Sequence, residues 1–503
     1  VTFSVRAAGL FVLLSLTAWA DRPKLGVFIV VDQLSADVFR ARLPKTRAGF
    51  RRLAAEGLVF DELRFDTAPT VTAAGHATLV TGAWPETHGI VANEWFDGAT
   101  GKPRLATEDV TYRVLGRPPE ARDGTAPTWL LAPTLADATR SADQAAKAVS
   151  ISAKDRSGIL MAGRAGLAVW FDAEEPLFTT STFYAKQLPA WVEPTNQKLA
   201  TLVSQGTVQW GSDAGVGRSG DSEPLAELPA LQPILDAAEV DLALAAVKAL
   251  ELGKDDVPDL LTVSFSGHDR IGHEFGPDSP EGLAEFMTLD VELGRLLDGL
   301  DNAVGKGKYV VALTADHGVA PLPEVSKARG LDAGRLDVKA LVAAIDGALD
   351  AALGPAKWVA RYKTPGLALD PTLRAKVPPV FERVRAVAMK QPGVADLLWG
   401  RGLPTSATTS TAALFRNGYF PERSADLIVV TKPYWTYSPV DKTGHGSAYL
   451  YDRSVPLVLF GAGVKKGSLP GAEATSLAPT FARLLGIPCP AAASGHAIDA
   501  VFH

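Results

Sequence analysis

Asp269 and His273 stand four residues apart, Asp316 and His317 are adjacent, and Asp32 and His445 each sit where an ordered element gives way to a loop. Carboxylates mixed with imidazoles suit Zn²⁺, with Mn²⁺ or iron as weaker fits. Taken singly each has an ordinary use: Asp32 as a helix cap, Asp316-His317 as a polar strand end, His445 as a loop residue between two glycines. Thr72, in Pro69-Thr70-Val71-Thr72-Ala73-Ala74-Gly75-His76, comes just before a run from Ala73 to Val80 that reads as a short helix. Its hydroxyl would lie at a helix N-terminus, where backbone N–H groups and the helix dipole favour an anion such as phosphate. A lone threonine in that place is ordinarily a plain N-cap, so its meaning depends on what the rest of the chain brings beside it.

The elements that must do so are legible as a repeating pattern. Lys24 to Val31 is, after its lysine, a mainly β-branched apolar run, the mark of a strand covered on both faces, and it ends at Asp32. Ala148 to Ala153, Leu260 to Phe265 and Tyr309 to Thr314 repeat the pattern and run into Lys154-Asp155-Arg156, Asp269 and Asp316-His317. Helical spacing fills the intervals at Pro44 to Glu56, Pro133 to Ala146, Val240 to Leu252 and Glu281 to Leu300. The alternation predicts an α/β fold, a doubly wound and mainly parallel sheet flanked by helices. Ligands of such sheets bind beyond the carboxyl ends of the strands, so the four strand ends would gather at one edge.

Two stretches interrupt the alternation and read as insertions over that edge. The first, at about 158–238, is rich in aromatic residues and holds a polar Gly/Ser stretch at 211–222; the second, at about 320–423, carries helical stretches at Val338 to Leu353 and Pro371 to Met389. Asp426 to Val430 and Val455 to Phe460 read as late strands, the second placed at the periphery by Pro456. Ser476 to Leu485 reads as a closing helix.

With 503 residues, 47% hydrophobic composition and a net charge of -6, the chain has ample material for a core and no basic excess that would point to nucleic acid. Val1 to Ala20 has one early arginine, a short apolar run and a small-residue end, the layout of a secretory signal peptide. Its apolar run is too short to span a bilayer. The expectation is a single catalytic domain over 21–503, periplasmic or secreted, without stable membrane insertion once the leader is removed. Cys489 is the only cysteine, so no internal disulfide can form, and its place between two prolines does not suit a catalytic thiol.

Val31-Asp32-Gln33, the Pro69–His76 stretch, His88-Gly89-Ile90-Val91-Ala92-Asn93, Asp269 with Gly272-His273, Ala315-Asp316-His317-Gly318 and Gly444-His445-Gly446 together resemble the alkaline phosphatase superfamily. The resemblance is to the branch of nucleotide pyrophosphatase/phosphodiesterases and threonine-nucleophile bacterial alkaline phosphatases, and it extends from Lys24 to Thr475-Ser476-Leu477-Ala478-Pro479. It implies two zinc ions, one on Asp269, His273 and His445, the other on Asp32, Thr72, Asp316 and His317. It implies Thr72 as the nucleophile of a phosphothreonine intermediate and Asn93 as a donor to a phosphoryl oxygen. Lys154 and Arg156 match the Lys-x-Arg pair of the bacterial phosphomonoesterases, which the diesterases lack, so small phosphate monoesters are the expected substrates and a phosphodiesterase on the same two-zinc site is the alternative. Charge supports the monoester: two Zn²⁺ balance the three aspartates and a Thr72 alkoxide, which leaves Lys154 and Arg156 to match a dianion. His268 departs from the pattern, where a small or hydroxylated residue is expected; it either alters the first zinc site or adds a substrate contact.

Overall fold

The computed structural model describes residues 22–97, 102–118, 124–204, 207–208, 217–218, 231–403, 411–437 and 442–502. The expected leader, Val1 to Ala20, lies outside them, as does most of the 211–222 stretch. Ten strands form the central sheet. In chain order they are β1 (Leu25–Val31), β2 (Leu58–Arg64), β3 (Ala148–Ser152), β4 (Leu167–Asp172), β5 (Leu177–Thr179), β6 (Asp259–Phe265), β7 (Tyr309–Thr314), β8 (Ser454–Gly461), β9 (Gly467–Leu469) and β10 (Ala472–Glu473). Across the sheet they run β9-β2-β8-β7-β1-β6-β3-β4-β5, with β10 paired to β2.

Every residue of β1, β3, β6 and β7 is buried, as their apolar runs require. β1 pairs in parallel with β6 and β7, β6 with β3, and β3 with β4. The carboxyl ends of β7, β1, β6 and β3 therefore deliver Asp316-His317, Asp32, Asp269 and Lys154 side by side at one edge.

The helices that matter to this edge are α1 (Thr72–Thr81), α2 (Asp155–Ala162), α3 (Gln232–Ala249), α4 (Gly267–Phe275), α5 (Pro280–Leu300), α6 (Val338–Leu353) and α7 (Leu477–Leu485). α7 covers the side of β1 that carries Gly26 and Phe28; the rings of Phe28 and Phe481 meet edge to face at 5.4 Å. α3 packs on α5 and lies over β3 and β6. No described helix is long and apolar enough to cross a membrane.

Four expectations are corrected. β4 and β5 fall within the stretch read as an irregular insertion, yet they extend the central sheet; their aromatic residues, Trp170 and Phe171 among them, are buried because they are strand residues rather than a cover. β8 is interior, antiparallel between β7 and β2, although it contains Pro456. The register with β2 shifts between Phe60 and Leu63, opposite the proline, and that bulge is where a residue without an N–H is tolerated. Leu427–Thr431 does not join the central sheet. It completes a four-stranded antiparallel sheet with Val359–Lys363, Gly366–Leu369 and Val394–Trp399, on which α6 and the helix Phe381–Ala388 form a separate apolar core around Leu341, Ile345, Trp358 and Val429. The helix expected from Pro371 begins only at Phe381, because Pro378-Pro379 confines the preceding residues to short 3₁₀ turns.

Candidate active site

α1 is buried at every position, and Gly75 is what permits it: a Cβ there would run into the Asp316 carbonyl. Val71, not Thr72, holds the capping position, and its side chain makes no capping bond. The Ala73 N–H donates instead to Asn93 Oδ1 at 2.8 Å, which leaves the Asn93 NH₂ group as the donor facing outward from that bond. The Thr72 hydroxyl is therefore not spent on the helix; its Oγ1 lies 3.5 Å from His317 Nε2.

Two groups of side chains bring their donor atoms within 4.8 Å of one another: Asp269, His273 and His445, and Asp32, Asp316 and His317. These are the residues singled out in the sequence, and Thr72 borders the second group. Each imidazole is held the same way. His317 Nδ1–H donates to the Gly318 carbonyl at 3.0 Å, His273 Nδ1–H to Thr443 at 2.9 Å and His445 Nδ1–H to Thr70 at 2.7 Å. That fixes the tautomer and turns Nε2, with its lone pair, toward the carboxylates. Burial lowers His317 to about 4 and His445 to about 3, so both are neutral imidazoles at ordinary pH.

His317 Nε2 thus points a lone pair at Asp32 Oδ1 and Asp316 Oδ2, each 3.4 Å away. Both oxygens are buried and accept no hydrogen bond from a described residue. Converging electron pairs out of water are repulsive unless a cation lies among them, so the donor set fits a divalent metal ion. Burial first, then Asp269 and Asp316, raise the Asp32 carboxyl above its ordinary range. Lys154 supplies part of the compensation: its ammonium donates to Asp32 Oδ2 at 2.6 Å and to Asp269 Oδ2 at 2.5 Å, touching a carboxylate of each group.

Beside Lys154 opens a cleft of about 520 Å³, lined in part by Arg156, Arg270, Thr107, Ser266 and Trp170. The sequence-predicted residues thus converge, with Arg156 one step outside the two candidate metal-binding groups.

Residues 27–448 match the family described as type I phosphodiesterase / nucleotide pyrophosphatase. The chain belongs to that family. It is a phosphoric ester hydrolase with the alkaline-phosphatase-like α/β fold. It is 31% identical to the alkaline phosphatase PafA of Elizabethkingia meningoseptica, over 95% of this chain and 94% of that protein. It is 29% identical to the alkaline phosphatase PhoV of Synechococcus elongatus, over 95% and 92% respectively. The crystal structure of wild-type PafA superposes with a TM-score of 0.86 at 30% identity, covering 96% of this chain and 99% of that one.

Several residues of this phosphodiesterase-family site stand in or beside the motifs quoted above, and the structure shows what each of them touches. Gln33, in the left-handed region at φ 71°, donates from Nε2 to Asp269 Oδ1 at 2.6 Å and from its backbone to Asp316 Oδ1 at 3.1 Å, joining the two groups. A Cβ at Gly272 would overlap its amide, which accounts for a glycine inside α4. The motif neighbours His76 and His88 orient rather than ligate: His76 lies 2.8 Å from the Thr72 carbonyl and 2.7 Å from Ser264 Oγ, and His88 Nδ1 accepts the Ile90 N–H at 3.1 Å. His268 turns away from the site. Its Nδ1 is 2.7 Å from Glu285 Oε2, and burial brings it down to about 3, so it packs α4 on α5 and offers no substrate contact.

Proposed function

We propose that the protein is an exported, zinc-dependent phosphomonoesterase that hydrolyses small phosphate monoesters through a phosphothreonine intermediate on Thr72. The observation that carries this reading is the Lys154 ammonium between the two ligand groups, with Arg156 beside it. Lysine has three N–H donors; two are engaged by Asp32 and Asp269, and the third remains for a phosphoryl oxygen. The names of PafA and PhoV as alkaline phosphatases support the same reading.

Asp269, His273 and His445 would hold one Zn²⁺, and Asp32, Thr72, Asp316 and His317 the other. Bound there, the ions supply Lewis acidity and positive charge at the attacking and leaving oxygens. Thr72 Oγ, deprotonated, forms the bond to phosphorus as the ester P–O bond breaks, and the leaving oxygen departs with the electron pair and takes a proton from water. A water then attacks the phosphothreonine, releasing phosphate and restoring the Thr72 hydroxyl. Asn93 Nδ2, aimed by the Oδ1 bond to Ala73, donates to a phosphoryl oxygen, and Arg156 grips a further one. Export is proposed from the leader-like segment Val1 to Ala20, with mature protein starting near Asp21.

The test is kcat/KM of the zinc-replete protein for an aryl phosphate monoester against its bis-aryl diester. The expected result is a monoester preference of several orders of magnitude. A diester preference would replace this reading with a phosphodiesterase or nucleotide pyrophosphatase on the same site.

A further inference from the structure

We infer that Asp452, which belongs to neither candidate metal group, is a positioning residue for both. Its carboxylate fixes the loop that carries His445, and its main-chain carbonyl fixes the residue that follows His317. The inference rests on the two-zinc reading proposed above and names what holds the imidazoles of the two groups in register.

His445 stands on a loop, 443–447, that contains no helix or strand and turns at Gly446 with φ 106°. Such a segment delivers a ligand firmly only when it is held from outside, since otherwise binding must also order the backbone. Asp452 supplies that hold two residues beyond His445, where its Oδ2 accepts the Ser447 N–H at 2.8 Å. The Thr70 hydroxyl donates to the Ser447 carbonyl at 3.1 Å, and the Thr443 hydroxyl to the Ala320 carbonyl at 2.7 Å. The loop is therefore pinned on both sides of the histidine. Burying a carboxyl costs free energy, and the N–H donor that offsets the cost here belongs to the His445 loop.

The same residue reaches the second group through its backbone. Asp452 is 1% exposed and lies in the short helix Leu450–Arg453 that feeds β8, whose neighbour β7 leads into Asp316-His317. The Gly318 N–H donates to the Asp452 carbonyl at 2.8 Å. A Cβ at Gly318 would overlap the Tyr451 carbonyl, which accounts for the glycine after His317. The rings of His317 and His445, one from each group, stack with centroids 3.6 Å apart and planes 17° from parallel. At that separation they are in van der Waals contact, so the loop cannot sink toward His317, and Asp452 keeps it from drifting away.

The side chain thus governs one group and the main chain the other, which makes the test asymmetric. Zinc content after equilibrium dialysis against nitrilotriacetate-buffered zinc gives an affinity for each ion. Asp452→Ala is expected to weaken one of them about 10-fold, the order found when a group behind a metal ligand is lost. The other should stay close to the parent value, because any residue supplies the carbonyl that Gly318 uses. Asp452→Asn keeps an acceptor oxygen for Ser447 and should recover most of the loss. Paired variants assign the ion: Asp452→Ala should add nothing to the zinc loss of His445→Ala but keep its full effect in His317→Ala. Far-UV circular dichroism checks folding, and Asp452→Ser, whose hydroxyl is too short to reach the loop, replaces Asp452→Ala if that variant does not fold. Equal weakening of both ions, a loss undiminished in His445→Ala, or unchanged zinc affinity in the folded variant overturns the positioning role. A parent protein that takes up fewer than two zinc ions is a separate outcome, visible before any substitution, and sinks the two-zinc reading together with this inference.

Discussion

Because Val71 occupies the capping position of α1 and Asn93 Oδ1 takes the Ala73 N–H, the Thr72 hydroxyl can be removed at little cost to the helix. Thr72→Ala should then unfold in urea within about 0.5 kcal/mol of the parent protein, while kcat/KM falls by about 10⁴-fold or more. Asn93→Ala should behave differently, losing about 1 kcal/mol of stability along with activity, since it also strips α1 of its cap. Urea melts beside aryl phosphate kinetics decide the matter; near-normal turnover by Thr72→Ala would remove it as the nucleophile. The residues that were legible in the sequence share a reason. Asp32, Asp269, Asp316, His317 and Lys154 follow buried runs that could only be central strands, and the carboxyl edge of such a sheet has one place for their side chains. Gln33 and Arg270 follow the same runs but belong to residue types that carry no ligand pattern, and what they touch is set by a left-handed backbone turn and by a cleft wall from distant segments.

At the scale of elements, α3, α4 and α5 meet over three buried acids. The Asp236 carboxyl lies against Glu285 of α5 on one side and Glu239 of its own helix on the other, and none of the three is more than 1% exposed. Around them stand His268, Arg42, Glu292 and Lys154 and the backbone N–H groups of Gly267 and Ala153. Burial raises Asp236 and Glu239 well above the carboxylate range and Glu285 to about 7, so the folded protein holds protons that the unfolded chain gives up. The sign follows: this contribution to stability is present below the ordinary carboxylate pKa of about 4 and is lost as pH rises through the folded values, near 7 for Glu285 and higher for the others. Asp236→Asn supplies the hydrogen bond without the proton. Its Tm relative to the parent protein should therefore climb from pH 5 to pH 9; parallel melting curves across that range would show that the acids do not share protons. The sequence hid this junction because α3 begins at Gln232, inside a stretch read as irregular, and only its later half shows uninterrupted helical spacing. β8 was misplaced for a related reason: a proline forbids a ladder bond, but whether a bulge on the neighbouring strand absorbs the loss depends on pairing that spacing along one strand does not encode.

Over the whole molecule, the two ligand groups tie together segments as far apart as Asp32 and His445, while the insertion that carries α6 keeps a core of its own. The outline of that insertion was readable from where the strand–helix alternation stops, but its far boundary was not, because Leu427–Thr431 is as apolar as any strand of the central sheet and only long-range pairing assigns it. The fold as a whole should outlast loss of the proposed metal ions, since the central core is built from apolar side chains. Chelation nevertheless leaves Asp32, Asp269 and Asp316 facing one another out of water, with Lys154 as the cation bonded to two of them. A ligand at 100 times its Kd contributes about 2.7 kcal/mol, so EDTA should lower Tm by a few degrees and added Zn²⁺ should restore it. Lys154→Met separates this charge balance from a general effect of metal. With the ions in place their charge substitutes for the ammonium, and the variant should melt close to the parent protein. After chelation the paired carboxylates lose their ammonium as well as the ions, and the variant should fall below the chelated parent by about 3 kcal/mol, the order seen when one partner of a buried ion pair is removed. Scanning fluorimetry of both proteins with and without EDTA reads the cycle directly, and an equal shift for the two would mean that Lys154 and the metal ions do not share the task of neutralising Asp32 and Asp269.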